Sequence, residues 1–252
     1  MEVFDFDGRF FYEQKSNRVE TTFFVGDSTI EQYYARVQQL ILETPDKINS
    51  VVFLTGGGCL PIPRSEYLSS HNHCMGLMEK ALDYARVNLQ IKTFVIGAEW
   101  NAYLGGGWAL SGRYGRDSAD YLLALKRLSQ YLSDLRELGK KVFLILNIPT
   151  GREMDPKYLV NRNLKNFPNF IEIRDGGLGR ADLDKRYGRI QSDLALVAKS
   201  NGATVISPME YLCSASFCPS VDEIGEPMYK DDSHLRPSYV RGRAIFIDQT
   251  LR

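Results

Sequence analysis

The sequence predicts one α/β domain: a three-layer α/β/α sandwich around a mainly parallel, five-stranded sheet. Three observations carry this reading. Short, near-continuous apolar runs recur along the chain, each closed by glycine or proline, as expected of strands buried on both faces. Segments with helically spaced apolar residues separate them, which is the alternation of a parallel sheet. The length of 252 residues, 44% hydrophobic and 25% charged, suits one large domain with its own core.

The elements follow in order. Thr21 to Val25 (TTFFV) is a strand that ends at Gly26. From Ile30 to Glu43 a helix is predicted, with Ile30, Tyr33, Tyr34, Val37, Leu40 and Ile41 on one face. Val51 to Thr55 (VVFLT) is the second strand, closed by Gly56, Gly57 and Gly58, and a helix over about Cys74 to Leu89 follows. Thr93 to Ile96 is the third strand, ended by Gly97. Asp117 to Leu138 reads as a long amphipathic helix, with Leu122, Leu123, Leu125, Leu128, Leu132 and Leu135 as its apolar positions. Lys141 to Leu146 (KVFLIL) is the fourth strand, stopped by Asn147-Ile148-Pro149. Asp182 to Ser200 is a helix with Gly202 as its stop. Thr204 to Ile206 is the fifth strand, and a last helix runs from Pro237 to about Leu251. Residues 1–20 read as an N-terminal linker or edge segment, and residues 21–252 as the domain. Arg152 to Arg180 reads as a long loop, with Gly176, Gly177 and Gly179 near its end.

Composition excludes several functions. Lys+Arg and Asp+Glu are equal at 31 each, whereas a nucleic-acid partner calls for a basic excess. No apolar run approaches the ~18–20 residues that span a bilayer, so no direct membrane insertion by this segment is expected. The start, MEVFDFDGRFFYEQ, lacks the basic and apolar regions of a signal peptide. The chain is therefore expected to be either cytosolic or a domain of a longer exported or membrane protein. Cys213 and Cys218 flank SASF in a turn-rich stretch, and Cys59 and Cys74 bracket a Pro- and Ser-rich loop. Two close pairs read as two loop staples and an oxidising compartment, with four reduced thiols as the alternative. A zinc site from His71, His73 and Cys74 is the weaker alternative, because no C-x-x-C pair occurs. No metal and no cofactor is expected.

In parallel sheets ligands bind beyond the carboxyl ends of the strands. There Phe24-Val25-Gly26-Asp27-Ser28-Thr29 takes a strand directly into a helix. Ser28 falls at the helix N-terminus, where unpaired N–H groups suit a developing oxyanion; an ordinary N-cap serine is the alternative. Near the other end, Tyr229-Lys230-Asp231-Asp232-Ser233-His234-Leu235 carries Asp-x-x-His. A carboxylate three residues before an imidazole can fold back onto it within one turn, which makes Asp231 the orienting group and His234 a general base. The chain has three His in all, and the other two share one loop, so an imidazole mechanism has His234 or nothing. A solvated surface turn is the alternative, and the apolar flanks Tyr229 and Leu235 suit it poorly.

These two blocks together resemble the SGNH, or GDSL-like, hydrolases over roughly Thr22 to Leu251. That resemblance implies the flavodoxin-like sandwich of the family, with Ser28 as nucleophile and Asp231 and His234 as its partners. It also implies an oxyanion hole from the N–H groups of Ser28 and Gly58 (Gly57 being a close rival), and from an Asn side chain in a Gly-x-Asn block. Here that stretch reads Gly97-Ala98-Glu99-Trp100-Asn101, so the Asn falls two residues later, at Asn101, with Trp100 as another occupant of that wall. VVFLTGGGCLPIP, VIGAEWNAY, CSASFC and YKDDSHLRPSYV are further similar to the SGNH domains fused behind membrane acyltransferase-3 proteins, which O-acetylate bacterial surface polysaccharides such as O-antigen. The likeness implies disulfides Cys59–Cys74 and Cys213–Cys218 and a periplasmic location. It also implies an acetyl donor passed from a fused transmembrane domain, a polysaccharide or oligosaccharide acceptor, and an acetyl-serine intermediate, with acetylesterase activity for the domain alone.

A plain GDSL-type carbohydrate esterase and a non-catalytic glycan-binding module are the alternatives. A remoter one is a magnesium-dependent phosphatase, since Val3-Phe4-Asp5-Phe6-Asp7-Gly8 resembles the Asp-x-Asp-Gly opening of haloacid-dehalogenase-type enzymes. Arg9 stands there in place of the Thr expected in that family, and the better reading of Asp5 and Asp7 is a tight turn in an N-terminal linker or edge hairpin. Trp100, Tyr103 and Trp108 are candidates for stacking on sugar rings, with core packing as the role of at least one of them, beside a Gly105-Gly106-Gly107 segment expected to be mobile. Asn147, Thr150 and Arg152 read as a plain turn, with contact to substrate as the alternative.

Overall fold

The computed structural model of the chain describes residues 1–65, 69–105, 118–159 and 176–252. β1 (Glu2–Phe6) and β2 (Arg9–Gln14) form a hairpin, followed by β3 (Thr21–Gly26), α1 (Ser28–Glu31), α2 (Tyr34–Glu43), β4 (Ser50–Thr55), α3 (Leu77–Val87), β5 (Ile91–Gly97), α4 (Trp100–Leu104), α5 (Ala119–Glu137) and β6 (Lys141–Ile145). The remainder comprises β7 (Gly177–Gly179), α6 (Arg180–Ser200), β8 (Thr204–Ile206), α7 (Met209–Leu212), β9 (Phe217–Pro219) and α8 (Pro237–Arg243).

The main sheet has seven strands in the order β1-β2-β4-β3-β5-β6-β8. β3, β4, β5, β6 and β8 are the five parallel strands that the sequence predicts. The other two come from the first fourteen residues. Asp7 (φ 52°) and Gly8 (φ 80°) adopt the left-handed geometry of a tight hairpin turn, and β2 then pairs antiparallel with β4, Tyr12 against Phe53. The hairpin is held by Phe11, which is fully buried against Phe4, Phe23 and Tyr84. β7 and β9 make a separate two-stranded sheet.

Alternation along the central strands splits the core into two layers. Phe23, Val25, Val52, Leu54, Phe94 and Ile96 face α3, α5 and part of α6. Phe24, Val51, Phe53 and Val95 face α2 and α8. All six residues of β3 are buried, as a strand central to both layers requires. The helix expected over Ile30 to Glu43 is broken between Glu31 and Tyr34, where Tyr33 turns into the core at 2% exposure. The last helix is likewise shorter than predicted. It stops at Arg243, just after Gly242, and a 3-10 segment, Ile245–Thr250, places Phe246 and Ile247 in the core side by side. Cys59–Cys74 and Cys213–Cys218 are disulfides, and no cysteine is free. Of the expected Arg152 to Arg180 loop, residues 160–175 lie outside the described residues. No helix among the described residues is long and apolar enough to cross a membrane.

Candidate active site

Ser28 opens α1 directly beyond the carboxyl end of the central strand. Two glycines make this turn possible. A Cβ on Gly26 would lie 2.0 Å from the Gly97 carbonyl oxygen and 2.6 Å from Ile30 Cγ1, and one on Gly97 would lie 2.5 Å from Ile30 Cδ1. Ile30 therefore seats in a notch between β3 and β5 that only glycine leaves open, and this fixes where α1 begins. Asp27, 1% exposed, caps the helix: its Oδ1 accepts from the Thr29 N–H at 2.8 Å and the Thr29 hydroxyl at 2.6 Å. Its Oδ2 accepts from the Glu99 N–H at 3.0 Å and the Tyr103 hydroxyl at 2.8 Å. One buried carboxylate thus satisfies four donors and ties the serine turn to the end of β5.

The second half of the site arrives from the far end of the chain. Tyr229 and Leu235 are buried and bridge each other, closing the loop between them. The Leu235 N–H donates to Gln32 Oε1 at 2.8 Å, and the Gly151 N–H donates to the Asp232 carbonyl at 2.8 Å. So anchored, His234 places Nε2 2.8 Å from Ser28 Oγ and Nδ1 2.9 Å from Asp231 Oδ1. A carboxylate only accepts, so Nδ1 carries the imidazole proton and Nε2 is left to accept from the serine hydroxyl. Burial pushes the Asp231 carboxyl up, but the Ser233 N–H, the His234 imidazole and the His234 N–H outweigh it and hold it below the usual carboxylate range. Asp232 is exposed and makes no side-chain hydrogen bond to the imidazole.

On the β4 side, the Gly56 N–H donates to the Gly26 carbonyl at 3.0 Å and the Cys59 N–H to the Gly56 carbonyl at 3.0 Å. Gly58, at φ 75°, completes this turn. The disulfide to Cys74 anchors it, and a His73 ring nitrogen lies 2.9 Å from the Gly57 carbonyl oxygen. Arg9 of the hairpin donates to the carbonyls of His73 (3.0 Å) and Met75 (2.6 Å). Among the described residues, the N–H groups of Ser28, Gly57 and Gly58 make no hydrogen bond.

The β5 side departs from expectation. Trp100 is fully buried, with its indole N–H on the Ile145 carbonyl at 2.8 Å, and Tyr103 is 2% exposed with its hydroxyl on Asp27. Neither ring offers a face to a sugar; both are core residues that position the turn. Trp108, Gly106 and Gly107 lie outside the described residues. Both side-chain polar atoms of Asn101 are sealed from solvent and have no partner among the described residues. The residue on this side that sequence reasoning missed is Glu99, half-buried, on whose carboxyl the charges of Asp27, Asp231 and Asp232 act. Asn147 and Thr150 are buried, and the Arg152 guanidinium lies over the Tyr158 ring.

Two other expectations meet the structure here. Asp5 and Asp7 sit at the tip of an antiparallel edge hairpin, Asp5 accepting from the Gly8 N–H and Asp7 paired with Lys80, away from any central strand. Cys59, His73 and Cys74 cluster among the described residues, but the two sulfurs are bonded to each other and offer no thiolate to zinc.

A glycine-asparate-serine turn on the middle strand of a parallel sheet, faced by a late Asp-x-x-His loop, is the architecture of the SGNH hydrolases. The chain belongs to the family described as the SGNH domain fused to AT3 domains, which matches residues 5–242. Its fold is similar to that of the Salmonella ser. Paratyphi A lipopolysaccharide acetyltransferase periplasmic domain, with a TM-score of 0.60, 16% identity, and coverage of 93% of this chain and 84% of that one. A GDSL-like lipase from Bacteroides thetaiotaomicron is also similar, with a TM-score of 0.48 at 15% identity over 92% of this chain and 87% of that one. The inhibitor-bound aryl esterase of M. smegmatis follows, with a TM-score of 0.47 at 11% identity over 92% and 100%. No curated protein matches the chain.

Proposed function

We propose that the chain transfers an acetyl group through an acetyl-Ser28 intermediate. The observation that carries this reading is the unbroken line from Ser28 Oγ through His234 to Asp231, with contacts of 2.8 and 2.9 Å. Ser28 Oγ attacks the acyl carbonyl and its proton passes to His234 Nε2. The leaving oxygen or sulfur of the donor takes that proton as the tetrahedral intermediate collapses. An acceptor hydroxyl then gives its proton to His234, attacks the acetyl carbon and releases Ser28, which recovers the proton. Asp231 keeps the imidazole in the right tautomer and offsets its charge while it is protonated. The N–H groups of Ser28 and Gly58 bind the oxyanion, and Asn101 lines the β5 side behind them.

The acceptor we assign is a bacterial surface polysaccharide, with water as the substitute for the isolated domain. The supports are the family's fusion to AT3 domains, the name of the acetyltransferase neighbour, and two disulfides that suit an oxidising, periplasmic setting. The fused membrane domain would present the acetyl donor. Incubation with an activated acetyl ester, with and without an oligosaccharide, tests this directly. Mass spectrometry should find the adduct on Ser28, and the oligosaccharide should carry it away as an acetyl sugar. Ser28→Ala should lower aryl-acetate hydrolysis by ~10³-fold or more. Full activity in that variant would remove the nucleophile from the scheme, and release to water alone would leave an esterase.

A further inference from the structure

Glu99 is the group at the cleft that the acyl-transfer scheme leaves idle. β3 and β5 pair in register with Gly26 opposite Gly97, so Ser28 and Glu99 are each the second residue beyond a paired glycine and leave the sheet side by side. Asp27 fixes the gap between them, because the carboxylate next to Ser28 in the chain accepts from the Glu99 N–H at 3.0 Å. Glu99 is half-buried, yet no hydrogen bond to its carboxyl is formed among the described residues. Among the described residues, the charged groups that act on it are Asp27 from the serine turn and Asp231 and Asp232 from the histidine loop, all acidic. The His234 imidazole is already engaged by Asp231 and Ser28, and the Tyr103 hydroxyl of the helix that follows Glu99 is engaged by Asp27. Burial first, and then the three aspartates, push the Glu99 carboxyl up to about 7.

A fourth negative charge here would repel an oxyanion, whereas a neutral acid offers an O–H donor. We propose that Glu99 is an oxyanion-hole residue that works as a carboxylic acid, donating its O–H to the acyl oxygen as Ser28 attacks. The inference rests on the acyl-serine reading. The proton stays on Glu99 throughout, so no bond to it forms or breaks; the hydrogen bond strengthens as charge builds on the acyl oxygen, beside those from the Ser28 and Gly58 N–H groups. Asn101, whose amide is sealed from solvent, does not compete for that role.

The test is the pH profile of aryl-acetate hydrolysis from about pH 5 to 9 for the whole chain and for Glu99→Gln, Glu99→Ala and Ser28→Ala, each checked by thermal melting. The native chain should lose kcat as pH rises through about 7. Glu99→Gln, a permanent donor, should stay within about threefold at low pH and lose that alkaline fall. Glu99→Ala should drop by ~10²-fold or more in kcat, with KM little changed, as removal of one oxyanion donor does. Equal damage from Gln and Ala, an alkaline fall that persists in Glu99→Gln, or an Ala variant within about threefold of native would each overturn the assignment. If Glu99→Ala does not fold, the Gln and native profiles decide alone. Activity surviving in Ser28→Ala would instead sink the acyl-serine reading, so the two failures are distinguishable.

Discussion

The two walls beside Ser28 are built on different principles. At the end of β4, three glycines make a backbone turn, and a covalent bond from Cys59 to Cys74 anchors it. At the end of β5 no covalent tie is present among the described residues; the Asp27 carboxylate collects donors from Glu99 and Tyr103, and Trp100 is locked into the core beneath. The first wall is held by a covalent bond and by backbone carbonyls, with no carboxylate in it among the described residues. The second is organised around a buried anion and therefore feels every other carboxylate nearby. A protein that needs one rigid wall and one tunable wall is served by this division.

The comparison breaks most severely at its hub. Asp27→Ala leaves four donors without their acceptor, and should cost about 3 kcal/mol of stability together with most of the activity, read by denaturant melts and aryl-acetate turnover. If only activity fell, the carboxylate would be an electrostatic element and not the tie described here. Next comes the covalent wall. A Cys59→Ala, Cys74→Ala double variant opens a loop with a sequence separation of 15, worth about 3 kcal/mol in the chain-entropy account. The same change at Cys213 and Cys218, separation 5, should cost about 2 kcal/mol on that scaling and leave the turnover alone, since that loop does not touch Ser28. Equal loss of turnover from both pairs would mean that the β4 wall owes nothing special to its disulfide.

A further effect is a pH dependence. Glu99 is held above its ordinary carboxyl value of ~4.3, at about 7, so between those values the folded state keeps a proton that the unfolded chain releases. Stability from this group therefore declines as pH rises through that window. Glu99→Gln should gain melting temperature over the native chain on going from about pH 5 to pH 8. Asp231 has the opposite sign. Its lowered carboxyl contributes stability above the ordinary value, which is lost as acid titrates it in the folded state.

These same walls separate what the sequence discloses from what it conceals. The five parallel strands are legible because each is a buried apolar run with a breaker after it, and Gly56 to Cys59 announces its turn by residue type alone. Ser28 and the Asp-x-x-His segment are visible because each is a short local pattern. The β5 wall is opaque for the opposite reason. Trp100 and Tyr103 can be read as stacking rings or as core until Ile145 and Asp27 are brought to them from distant parts of the chain. Glu99 looks like an ordinary surface acid until aspartates from two distant segments face it. The first twenty residues, read as a linker or edge segment, give little sign that β2 will pair with β4, because strand pairing across the interval is a property of the assembled sheet.

The hairpin has one more consequence. Its Arg9 grips the carbonyls of His73 and Met75, and the His73 ring in turn reaches the Gly57 carbonyl. A trimmed chain starting at residue 21 would look harmless on paper, since it deletes no residue within the cleft. It would nevertheless cut a guy-rope: the segment that carries Cys74 would lose its outer stay, and slack would reach the glycine turn by way of one histidine.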